Sequence, residues 1–108
     1  MTTDTYETYR TIGEIKAANA RIGHFFFEPA SMRFFSSKIA SQTVYGEHFF
    51  ITSEQFVASD GTRFPRMYTI RSCYQGKCDT VGEFQQYSTL TEAKRAARSL
   101  AAFNRNLP

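Results

Sequence analysis

The fold is decided by Arg66–Asn104, RMYTIRSCYQGKCDTVGEFQQYSTLTEAKRAARSLAAFN. Arg66–Cys73 carries Tyr68, Thr69, Ile70 and Cys73, residue types that suit a pleated, half-buried surface. Alternation puts Tyr68, Ile70 and Ser72 on one face and Met67, Thr69, Arg71 and Cys73 on the other. Neither face is cleanly polar, so the strand is expected inside a sheet. Tyr74–Asp79 reads as the turn, because Gly76 takes a positive φ without a Cβ clash. Thr80–Tyr87 reads as the returning strand, with Val81 and Phe84 on opposite faces. The period then changes from two to 3.6. Thr89 and Glu92 form a capping-box pair, and Ala93, Ala96, Ala97, Leu100 and Ala101 make one apolar stripe. Lys94, Arg95, Arg98 and Arg105 fall largely on the other side.

Upstream, Met1–Thr5 is small and polar and is expected to fray. Tyr6–Arg21 has Ile12, Ile15, Ala18 or Asn19, and Ile22 at helical spacing, with Gly23 placed to stop the helix. Gly13 weakens its first turns and makes Thr11 the alternative start. His24–Ser37, HFFFEPASMRFFSS, is the densest aromatic cluster, and Pro29 suits the first turn of a short helix over Ala30–Phe35. Lys38–Val44 and Glu47–Phe56 read as two strands around Tyr45-Gly46, with Phe49 and Ile51 sharing one face and Phe50 and Thr52 the other. Val57–Pro65 is a loop carrying the turn signal Ser59-Asp60-Gly61. The predicted architecture is α+β: one domain over residues 1–108, an antiparallel four-stranded sheet of two hairpins. The N-terminal helix, the short aromatic helix and the C-terminal helix are expected on one face.

A chain of 108 residues has room for one modest core, and 11 Phe with 6 Tyr supply the area to fill it. The net charge of +3 permits a nucleic-acid partner without requiring one. Cys73 and Cys78 are too few for a disulfide scaffold. They flank the predicted turn and could come within bridging distance, but thiols are expected. The first ten residues lack the basic and apolar regions of a signal peptide, and no apolar run could span a bilayer. A cytoplasmic protein with no membrane partner is expected.

Catalytic signals are weak. His24, His48, Cys73 and Cys78 show no chelating spacing, so neither a metal nor another cofactor is expected. Nothing local pairs either cysteine with a histidine as nucleophile and base. The ten carboxylates are dispersed and the six glycines stand singly at turns, so no phosphate loop exists. A binding role remains. Arg66 and Arg71 on a strand, Lys77 at the turn tip and Arg98 on the last helix are the candidate nucleic-acid contacts. Arg33, Phe34 and Phe35, in the aromatic cluster, are the candidate contacts to a protein partner.

Two resemblances bear on this choice. HFFFEPASMRFFSSKI at His24–Ile39, with RMYTIR and VGEFQ later, resembles a family of small uncharacterised proteins found in bacteriophage and bacterial genomes. It implies a mobile-element setting, where small domains bind DNA or interfere with host nucleases. Arg66–Phe103 is similar to the arm-type DNA-binding domain of tyrosine integrases and the related plant ethylene-response domain. Tyr68, Ile70, Arg71, Gly76, Lys77, Gly82, Phe84, Thr89, Glu92 and Ala93 occupy matching places. The usual Trp is missing, and Cys73 and Cys78 surround the turn. This resemblance implies a sheet that enters the major groove. The two expectations are a nucleic-acid-binding module using Arg66, Arg71 and Lys77, and an anti-CRISPR-like or anti-restriction inhibitor of a host nuclease or defence complex. Either would act as a monomer or homodimer.

Overall fold

The computed structural model describes residues 8–23 and 35–105. In chain order these form α1 (Ile12–Arg21), β1 (Phe35–Ile39), β2 (Phe49–Phe56), β3 (Met67–Tyr74), β4 (Lys77–Val81) and α2 (Leu90–Arg105). The four strands make one antiparallel sheet in the order β1-β2-β3-β4. The predicted α+β class and the four-stranded antiparallel sheet are therefore what the chain forms. Of the helix predicted over Ala30–Phe35, Phe35 instead opens strand β1, and the rest, with Arg33 and Phe34, lies outside the described residues, as does Met1–Thr5.

Strand pairing assigns the two faces. Phe49 opposes Ser72 and Ile51 opposes Ile70, and Ile70 in turn opposes Val81. This face packs on α2: Tyr45, Phe49, Ile51, Ile70, Ala93, Ala97 and Ala101 form one buried cluster. The alanine stripe lets the helix backbone come close. At Gly46 (φ +57) an added Cβ would sit 2.8 Å from the Ala101 Cβ.

The other face has its own core. Phe50 and Cys73 pack with Tyr9, Ile12, Ile15 and Ala18, so α1 lies on the side of the sheet opposite α2. The expected one-sided arrangement is replaced by a three-layer one. The cause is visible in β2, where Phe49, Phe50 and Ile51 are all buried although they alternate between faces. Apolar side chains on both faces need cover on both.

Three boundaries also move. Helix α1 starts at Ile12 with Thr11 as N-cap: the Glu14 N–H donates to the Thr11 hydroxyl and the Thr11 N–H to the Glu14 carboxylate, a second capping box. The β3–β4 turn is two residues, Gln75 (φ 54) and Gly76 (φ 84), instead of the six read from Tyr74–Asp79. Two successive positive φ values match the twist of a hairpin, which lets the strands run up to the turn. Strand β4 correspondingly ends at Val81, and Tyr87 rejoins the sheet as an isolated bridge to Tyr68 after a short excursion. The hairpin expected around Tyr45-Gly46 does join β1 to β2, but with β1 ending at Ile39 and a longer connection over residues 40–48. The chain leaves the sheet after β1, Thr43 bridges to Thr11, and Tyr45 bridges to Phe49.

Candidate functional site

The predicted sheet-face cations do not converge. Arg71 shares its face with α1, whereas the pairing and alternation of β3 put Arg66 and Lys77 on the α2 side. Arg66 lies just before β3 and donates from Nη1 to the Ser53 hydroxyl at 2.9 Å. Lys77 is exposed beyond the far end of the same strand, about 25 Å away along it.

Arg71 is engaged within the fold. Its Nη2 meets Glu54 Oε2 at 3.1 Å, with the Glu54 side chain fully buried and that of Arg71 17% exposed. The Arg71 Nε donates to the Thr52 hydroxyl at 3.0 Å and Nη1 to the Thr80 hydroxyl at 2.8 Å. The Phe84 ring centroid lies 5.4 Å from the guanidinium carbon. Glu54 also accepts from the Thr52 hydroxyl at 2.5 Å and the Thr69 hydroxyl at 2.6 Å. Thr69 in turn accepts the Gln85 N–H at 2.8 Å, which ties the excursion after β4 onto this face. A buried carboxylate is tolerable only when its lone pairs are met, and here three donors meet them. The sequence reading missed Glu54. Its signal was a Glu with Thr52 and Phe56 two residues to either side, in a strand whose neighbour carries an Arg on the matching face.

Arg98 stands elsewhere, on α2. At 3.6 residues per turn the buried line is Ala93, Ala97 and Ala101. Arg95 and Arg98 are exposed and Lys94 half-buried, all on one flank beside that line. Among the described residues, no acidic side chain pairs with these three. Glu92, the acid in the first turn of α2, is occupied by the Ser88 and Thr89 hydroxyls at 2.8 and 3.1 Å. Those hydrogen bonds hold its carboxyl below the ordinary carboxylate value. Of the predicted protein-contact residues, Phe35 opens β1 opposite Phe56, while Arg33 and Phe34 are outside the described residues.

A second polar group surrounds the hairpin tip. His48 stacks on Tyr74 at 4.3 Å between centroids and meets the Tyr9 edge at 6.4 Å. Its Nδ1 lies 3.2 Å from the Cys73 carbonyl, which accepts when that nitrogen carries the proton. No three His, Cys, Asp or Glu side chains gather around one point among the described residues.

Residues 11–98, from the cap of α1 into α2, match the model of a family of unknown function, DUF7447. The chain belongs to that family. No curated protein and no solved structure matches it. Among the described residues, no helix is long and apolar enough to cross a membrane.

Proposed function

We propose that this DUF7447 chain is a non-catalytic module that binds the phosphate backbone of nucleic acid through the Lys94–Arg95–Arg98 flank of α2. The observation that carries the reading is the placement of like charges on neighbouring turns. Lys94 and Arg98 are four residues apart and Arg95 and Arg98 three, spacings that cost a helix about 0.2–0.5 kcal/mol per pair. The cations stand in the first turns and the middle of a 16-residue helix, where the helix dipole does not favour them as it does in the last turn. A flank of positive charge kept at some cost to the helix is suited to a polyanion. The sheet is less suited, since α1 and α2 occupy its faces and Arg71 is spent on Glu54. The resemblance to small proteins of phage and bacterial genomes supports a mobile-element setting for such a module.

The test is a titration of random duplex DNA from about 50 to about 200 mM salt. Each phosphate contact contributes about 0.9 to the slope of log K against log salt, so replacing Lys94, Arg95 and Arg98 with Gln should flatten it by about 2–3 units. Arg66→Ala should leave the slope unchanged. Affinity weaker than about 10⁻⁴ M, or a triple variant equal to wild type, overturns the reading. A protein partner such as a host nuclease would give the first outcome.

A further inference from the structure

Beyond the helix flank, we propose that Cys73 and Cys78 are a redox-responsive pair that closes into a reversible cross-strand disulfide beneath α1. Both are reduced thiols in the structure, directly opposed in the β3–β4 register. The two-residue turn makes Tyr74 and Lys77 the hydrogen-bonded pair that flanks it, so Cys73 and Cys78 form the next, non-hydrogen-bonded pair. The Cys73 N–H agrees with this: it donates away from β4, to the His48 carbonyl at 2.9 Å. Such pairs have Cα atoms about 4.5 Å apart, inside the range a disulfide spans without backbone movement. The side chains of a directly opposed pair share one face of the sheet. The Cys73 side chain, together with burial, pushes the Cys78 thiol up.

The location gives the bond a consequence. Cys73 is fully buried in the α1 core, while Cys78 is partly exposed and provides the entry point. Asn19 on α1 reaches both the turn and the pair, with Nδ2 2.8 Å from the Gly76 carbonyl and 3.7 Å from Cys78 Sγ. A disulfide here stiffens the surface on which α1 sits. The oxidant is a small-molecule disulfide. The Cys78 thiolate attacks one of its sulfurs and releases one thiolate, giving a mixed disulfide. The Cys73 thiolate then attacks Cys78 Sγ and releases the second thiolate. The two cysteine protons go to the two released thiolates, and two electrons pass to the oxidant.

The full chain is equilibrated with reduced and oxidised glutathione over a range of potentials, quenched with an alkylating agent under denaturing conditions and weighed. The expected product is a monomer lighter by two hydrogens with no alkylated cysteine, following a two-electron Nernst curve. Its melting temperature should rise by about 5 °C, since the cross-link restricts the unfolded chain. Cys73→Ala should stop at the glutathione adduct on Cys78, and Cys78→Ser, at the more exposed site, should show neither product nor shift. An adduct as the end product of the wild-type chain, a covalent dimer, or two thiols that alkylate fully at every potential would overturn the proposal. None of these outcomes depends on the DNA titration.

Discussion

Asn19 and Gly76, distant in sequence, hold α1 to the tip of the β3–β4 hairpin. The Asn19 Nδ2 donates to the Gly76 carbonyl at 2.8 Å, and the Gly76 N–H donates to the Tyr9 hydroxyl at 3.2 Å. Asn19 is 2% exposed. Both polar groups of a buried turn glycine are thus met by side chains from the start of the chain, which satisfies backbone that no strand reaches.

Asn19→Ala strips the buried carbonyl of its donor, and the expected loss is about 1–3 kcal/mol. Urea unfolding measures it. A loss no larger than that of an exposed substitution such as Ala20→Ser would show that α1 is held by its apolar stripe alone.

Gly76→Ala should cost clearly more than Gly61→Ala. Both glycines have positive φ, +84 and +91, and a left-handed alanine costs about 1–2 kcal/mol at either site. Only at Gly76 would the new Cβ meet backbone, lying 2.6 Å from the Ala18 carbonyl oxygen, whereas nothing stands within 4 Å at Gly61. Equal losses would mean that the helix is not seated on the turn.

Arg71→Ala should destabilise by about 3–5 kcal/mol, because it strands the buried Glu54 carboxylate. Arg71→Met combined with Glu54→Leu should recover most of that loss. Thermal and denaturant unfolding of the two variants decide it. A single variant as stable as wild type would return Arg71 to the list of residues available for a ligand.

On α2, Ala97→Leu overpacks a site with no exposed surface and should cost about 1–3 kcal/mol. Arg98→Ala, on the exposed flank, should stay within about 0.5 kcal/mol. The reverse order would place the wrong helix face on the sheet.

The Glu92 cap predicts a pH dependence. Its folded-state pKa is lowered from 4.5 by the Ser88 and Thr89 hydroxyls. The cap therefore contributes its full stability above the unfolded value and loses it as pH falls through the lowered folded value. The melting-temperature difference between wild type and Glu92→Gln should hold near neutral pH and shrink progressively below about pH 4. A difference that is unchanged in acid would remove the carboxylate from the cap.

Local chemistry alone carried the elements whose signals lie within one stretch of chain. Thr89 and Glu92 with the alanine stripe specified α2 and its buried side, and Ile12, Ile15 and Ala18 specified that of α1. The alternation in β2 and β3 assigned their residues to the faces the register confirms. The capping box at Thr11 and Glu14 lies within four residues and was equally legible, and it sets the start of α1 at the alternative that Gly13 suggested. Tertiary structure decided what depends on relative placement. Periodicity states that a strand has two faces but not which helix covers each, so α1 and α2 were expected together and lie apart. Charge in a sequence shows that Arg71 is basic but not that Glu54, 17 residues earlier on the neighbouring strand, shares its sheet face and is reached by its guanidinium. Likewise Cys73 and Cys78 become an opposed pair only because the turn contracts to Gln75-Gly76, a choice made by the twist of the paired strands. Contacts between distant residues follow from packing and register, which no local pattern encodes.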